Sequence, residues 1–206
     1  YKNSDLELSH KLFSAVLQQQ PNHPVAKKGL LRLQKAGYGG QPQRVSTANL
    51  SSEQMGSVLH LYQSGQMAET AHLCQELLQT YPGELTLYKI FGNSLQAQGN
   101  FHEALNVFEQ ALQMKPDNAS AYFGRGNSLQ GLGQMEEAVK SYEQAIQFDP
   151  ELAAAYTNCG AALKSLGHIQ DAIAQHENAI RIKPNYAVAH NNLGVALKEL
   201  GALEEA

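Results

Sequence analysis

The chain has 206 residues, 43% of them hydrophobic, with two cysteines, no tryptophan and a formal net charge of −4. It contains no run of about 20 apolar residues and nothing like a secretory leader, so no membrane-spanning helix is expected and a cytoplasmic protein is, while two cysteines are too few for a disulfide framework. The first 50 residues carry Lys2, Lys11, Lys27, Lys28, Arg32, Lys35 and Arg44 against Asp5 and Glu7, so the acidity belongs to the rest of the chain, a poor match for nucleic acid.

Tyr1 is an unusual first residue, and a piece of a longer protein is expected. Residues 5–36 read as a degenerate helix pair. Ser9, Phe13, Val16 and Pro21 have the spacing that Ala, Phe, Ala and Pro show farther on, and Leu30, Leu31 and Leu33 mark a following helix over 24–36. Gly37, Gly39, Gly40 and Pro42 then break the pattern, so residues 37–50 read as a linker. Ser51-Ser52-Glu53-Gln54 offers a capping box, with Leu50 and Met55 placed for a hydrophobic staple, and predicts a helix start.

From residue 51 to residue 206 the chain repeats itself every 34 residues. Pro82, Pro116, Pro150 and Pro184 keep that step, as do Gly65, Gly99, Gly133, Gly167 and Gly201. Gly92, Gly126, Gly160 and Gly194 follow it too, with the leucines at 61, 95, 129, 163 and 197 and the alanines at 104, 138, 172 and 206. A fixed period of this size marks stacked supersecondary units. Each unit reads as two helices. In residues 85–118, Tyr88, Phe91, Gly92 and Leu95 share one helical face up to a stop at Gly99. Ala104, Leu105, Phe108, Ala111 and Leu112 share a second face, ended by Pro116. The units are 51–84, 85–118, 119–152, 153–186 and a partial 187–206, in which Leu203 and Glu204 are expected to open a second helix after Gly201. The first unit diverges most, with Val58, Thr70, Cys74 and Leu77 where Gly, Ala, an aromatic and Ala stand later.

The order Tyr88, Gly92, Leu95, Ala104, Phe108, Ala111, Pro116, and its copies from Tyr122 to Pro150 and from Tyr156 to Pro184, resembles the tetratricopeptide repeat. The family's Trp is replaced by Tyr or His. The resemblance covers residues 51–206 and implies an all-α fold, a right-handed α-solenoid of stacked helix–turn–helix repeats. Asn158-Cys159-Gly160 and Asn192-Leu193-Gly194 are similar to the repeats of O-linked GlcNAc transferases and of bacterial repeat proteins.

No catalytic constellation emerges, and neither a cofactor nor a metal is implied. Gly124-Arg125-Gly126 follows no strand, so it makes no phosphate loop. His102-Glu103 and His176-Glu177 lack the second His of a zinc-protease motif, and His72 and Cys74 share no face. Cys74 and Cys159 read as small buried hydrophobes, His176 and His190 as ring-slot packing residues.

What remains is a surface. The resemblance places the first helices along a concave groove, and there the candidate peptide-binding residues are Lys89, Asn93, Phe123, Asn127, Asn158, Asn191 and Asn192. An amide both donates and accepts, so asparagines one repeat apart can grip the backbone of an extended peptide whatever its sequence. Lys89 and Asn93 match the start of a clamp for a C-terminal carboxylate, but Gly124, Ala154 and Asn158 do not supply the rest. The expected role is a non-enzymatic protein-interaction scaffold with a protein or peptide partner. Two alternatives stand beside it: the substrate-presenting arm of a larger enzyme such as a glycosyltransferase, and self-association through the uncapped C-terminal repeat.

Overall fold

A computed structural model describes residue 13, residues 24–35 and residues 50–204. The chain divides into two compact units, Tyr1–Asn49 and Leu50–Ala206. The expected helix over 5–20, apart from Phe13, and the linker as far as Asn49 lie outside the described residues.

In the first unit the described helix is α1 (Pro24–Lys35). A Cβ built on Gly29 would lie 2.5 Å from the Phe13 ring. The same joint recurs in the second unit, where a Cβ on Gly124 would lie 2.3 Å from the Phe108 ring. The match is in register with Pro21 and Pro116.

The second unit is an all-α solenoid. Its first helices are α2 (Ser52–Gln63), α4 (Leu85–Ala97), α6 (Ala119–Gly131), α8 (Ala153–Ser165) and α10 (Ala187–Glu204). Its second helices are α3 (Met67–Thr80), α5 (Phe101–Met114), α7 (Met135–Phe148) and α9 (Ile169–Ile182). Each helix packs on the next. From α4 onward each first helix also touches the first helix of the following repeat. From α4 to α10 the first helices thus form one continuous layer.

The turns are set by glycine. Gly65, Gly99, Gly133 and Gly167 all have φ between 77° and 82°, where a Cβ is strained. The next residue's N–H then reaches back to the periodic leucine, as Asn100 does to Leu95 O at 2.9 Å and Gln134 to Leu129 O at 2.9 Å. That bond is the Schellman closure of a helix end. The α2 start has the expected capping box: Ser51 Oγ accepts from the Gln54 N–H at 3.1 Å, and Gln54 Oε1 accepts from the Ser51 N–H at 3.0 Å. Leu50 and Met55 both pack against the core.

The other glycine series solves a different problem. A Cβ on Gly92, Gly126 or Gly160 would lie 2.4, 2.5 or 2.6 Å from the ring of Phe108, Tyr142 or His176. Each ring fills the space a side chain would take, which lets the two helices of a repeat approach closely. In the first repeat the volumes are exchanged: Val58 faces the core from α2 and Cys74 from α3, both 0% exposed. A larger first-helix residue is matched by a smaller second-helix one, the kind of swap a core tolerates.

The last described repeat departs from expectation. The helix does not stop at Gly201; α10 runs on to Glu204. In the other repeats a second helix folds back onto the first and fixes the glycine turn. Among the described residues nothing packs there after Gly201, so the helical hydrogen bonds simply continue.

Candidate functional site

The layer of first helices carries all seven candidate residues, and their environments differ. Lys89 is exposed, and it lines a pocket of about 250 Å³ with Leu85, Thr86, Phe108, Asn118 and Ser120. Asn93, Phe123, Asn127, Asn158 and Asn192 are half-buried, and Asn191 is exposed. The Phe123 ring packs at 6.0 Å from Tyr142, tilted by 49°.

Asn127 and Asn158 are tied to each other. Asn158 Nδ2 donates to Asn127 Oδ1 at 2.8 Å, joining α6 to α8. Tyr142 Oη, from α7, shares its proton between Asn127 Oδ1 at 2.9 Å and Gln130 Oε1 at 2.7 Å. Burial pushes the Tyr142 phenol well above the usual tyrosine range; the Asn158 hydrogen bond acts against that, and Cys159 adds to it. The phenol stays a neutral donor that holds the Asn127 and Gln130 amides.

This rung forms once. It links the ninth position of one repeat to the sixth of the next. For Asn93 the sixth-position residue of the next repeat is Gly124, whose Cβ space the Phe108 ring occupies. For Asn192 the preceding ninth-position residue is Ala161, which has no polar side-chain atom. Among the described residues, Asn93, Asn191 and Asn192 therefore keep their amides open, while Asn127 and Asn158 hold one another. Asn127 Nδ2 and Asn158 Oδ1 take no part in that bond.

Sequence reasoning did not assign the bridges that stiffen this layer. Gln96 Nε2 donates to Gly124 O at 2.7 Å and to Ser128 Oγ at 2.8 Å, locking α4 to α6. Lys164 Nζ pairs with Glu199 at 3.5 Å, locking α8 to α10. Arg125 reaches down instead, donating to Ser141 Oγ at 2.6 Å and pairing with Glu109 at 3.5 Å. Gln96, Gln130 and Lys164 are one repeat apart in sequence. That series was the available signal.

The histidines and cysteines fall into place as well. His176 is 0% exposed in its ring slot. His190 is a correction to the expected packing role: it is exposed, and its Nε2 lies 2.7 Å from Pro184 O. It mirrors Tyr88, whose hydroxyl donates to Pro82 O at 3.2 Å, but among the described residues its own repeat has no second helix. Cys74 and Cys159 are free and buried. Burial raises each thiol to about 12, so both are inert hydrophobes at neutral pH. Among the described residues there is no group of three or more His, Cys, Asp or Glu that could hold a metal ion, and no helix long and apolar enough to cross a membrane.

Comparison with known proteins agrees with this architecture. A family model described as "Tetratricopeptide repeat" matches residues 91–153, and one described as "TPR repeat" matches residues 162–201. No curated protein matches the sequence. Among solved structures, a crystal structure of MamA is 19% identical, with a TM-score of 0.64 over 75% of this chain and 87% of that one. The Sgt2 TPR domain from Aspergillus fumigatus is 22% identical, with a TM-score of 0.58 over 60% of this chain and 83% of that one. The first TPR of Spaghetti (RPAP3), bound to the HSP90 peptide SRMEEVD, is 23% identical, with a TM-score of 0.55 over 57% of this chain and 94% of that one. At these identities the likeness is one of fold.

Proposed function

The chain belongs to the tetratricopeptide repeat family, and from that premise we propose that it is a protein-interaction scaffold whose groove takes an extended peptide. The observation that carries the reading is the uneven asparagine row. One rung, Asn127–Asn158, is closed by hydrogen bonds. Open amides stand on either side of it, Asn93 toward α4 and Asn191 and Asn192 on α10. A rigid closed rung between unengaged amides gives an extended ligand fixed points at both ends without side-chain ordering in the middle, which lowers the entropic cost of binding.

The RPAP3 repeat domain binds a peptide, which supports a peptide as ligand class here. A clamp for a terminal carboxylate is not the way this groove would hold it. Lys89 and Asn93 are present, but Gly124 cannot be replaced by a polar residue while Phe108 fills the space beside it. Main-chain recognition by amides suits an internal segment better. Affinity for one linear peptide is expected near the micromolar range, about −8 kcal/mol.

The test is a peptide-array screen followed by titration of a captured peptide. The double variant Asn93→Ala, Asn192→Ala should weaken binding about tenfold or more, the loss of roughly 1.4 kcal/mol in hydrogen bonds. Unchanged affinity in that variant would remove the groove assignment. A second reading, self-association, is favoured by exposed apolar side chains on α10. Val195 and Leu197 are 46% and 50% exposed, and nothing lies within 4 Å of a Cβ on Gly194.

A further inference from the structure

The ring slot of each repeat is built alike but satisfied differently. Phe108 brings no polar atom to its slot over Gly92. Tyr142 brings one, and Asn127 and Gln130 bond it. His176 brings two ring nitrogens, is 0% exposed, and neither Nδ1 nor Nε2 has a hydrogen-bond partner. The reason is legible one repeat on from Asn127 and Gln130, where Ala161 and Lys164 stand. The first offers no polar atom, and the second offers another positive charge. His60, His72, His102, His168 and His190 are all exposed, so among the described histidines His176 alone is buried.

We propose that the α8–α9 joint is an acid-sensitive latch, in which a proton on the His176 ring opens the slot over Gly160 and loosens the fourth repeat while the second and third stay closed. An imidazolium has two N–H donors and a full charge. A dry slot with no acceptor cannot hold it. The charged groups around the slot do not relieve it. From α8 the Lys164 ammonium acts on the ring by its charge, and the carboxylate that pairs with that lysine, Glu199 on α10, is taken up by it at 3.5 Å. On α9 itself Asp171 and Glu177 are exposed, and none of these carboxylates pairs with the ring.

Burial, and then the Lys164 ammonium, hold the His176 imidazole below the usual histidine value of 6.5. The sign follows. The opened joint takes up a proton before the closed one does, so the latch is full above pH 6.5 and weakens as the pH falls below it. A ring that titrates normally only when the joint is open favours opening up to about tenfold between about pH 7.5 and pH 5.5. The joint lies beside the Asn158 half of the layer, but the proposal does not depend on what that layer binds.

Hydrogen exchange read by mass spectrometry on the whole chain tests it, at both pH values and corrected for the chemical exchange rate. Peptides from α8 and α9 should lose protection by up to about tenfold relative to peptides from α4 to α7. His176→Phe and His176→Tyr place in the slot the rings that Phe108 and Tyr142 place in theirs, and should remove the difference; if one packs poorly, the other carries the comparison. The exposed neighbour variant His168→Gln should keep it. A uniform loss across all repeats in the wild type, or a fourth-repeat loss that persists in the His176 variants, would overturn the proposal.

Discussion

Glycine occurs at two periodic positions for two unrelated reasons, and substitutions should separate them. At Gly133 the backbone sits at φ +77° with open space around a Cβ. At Gly126 the backbone is helical and a Cβ would lie 2.5 Å from the Tyr142 ring. Gly133→Ala should cost about 1–2 kcal/mol, and Gly133→Asn less, because Asn tolerates the left-handed conformation. Gly126→Ala should cost about 1–3 kcal/mol through overpacking, and Gly126→Asn more, because the added volume is larger. Urea unfolding of the four variants gives the order directly. An Asn that rescues neither position, or both, would contradict this division.

At the scale of the element, the helices start and stop by different devices. The N-terminal positions of α3, α5, α7 and α9 have no side-chain cap, because the preceding glycine turn already orients the chain. The start of α2 is capped by the Ser51 and Gln54 side chains instead. Ser51→Ala should therefore lower stability by about 0.5–2 kcal/mol. The loss should be concentrated in α2, seen as faster amide exchange in its first turn with α8 and α9 unchanged. The same logic explains α10. Its Gly201 has the sequence of a stop, yet a glycine only permits the left-handed turn, and contacts with a returning helix select it.

Taken whole, the solenoid is a chain of neighbour contacts, so its stability is close to a sum of joints. Its apolar groups fall into three successive clusters along the axis. Among the described residues no further helix packs on the far side of α10, where Val188 is 52% exposed and Val195 and Leu197, on opposite sides of the helix, are also exposed. Exposed apolar side chains on a solenoid's terminal helix favour association when a matching surface is available. Light scattering over a concentration series should show mass rising with concentration, and Val195→Lys with Leu197→Lys should return it to the monomer value. A constant monomer mass in the wild type would end the self-association reading.

The 34-residue period, the helix pairs and the glycine turns were all legible in the sequence, because each rests on a local rule: face periodicity, left-handed glycine, proline exclusion. The Ser51 box was legible for the same reason. The candidate site was legible only as a list of positions. Which asparagines hold one another, and which stay open, depends on the residue that the next repeat brings alongside. Gly124 is already filled by Phe108, Ala161 has nothing to offer, and only Asn127 meets Asn158. His176 shows the same divide. Its slot could be read from Tyr142 and Phe108, but the lack of any partner for its ring nitrogens appears only when α8 and α9 pack together. Sequence determined the unit, because the unit is held by contacts near in the chain. Tertiary structure decided what each unit presents, because that is set across the joint between one unit and the next.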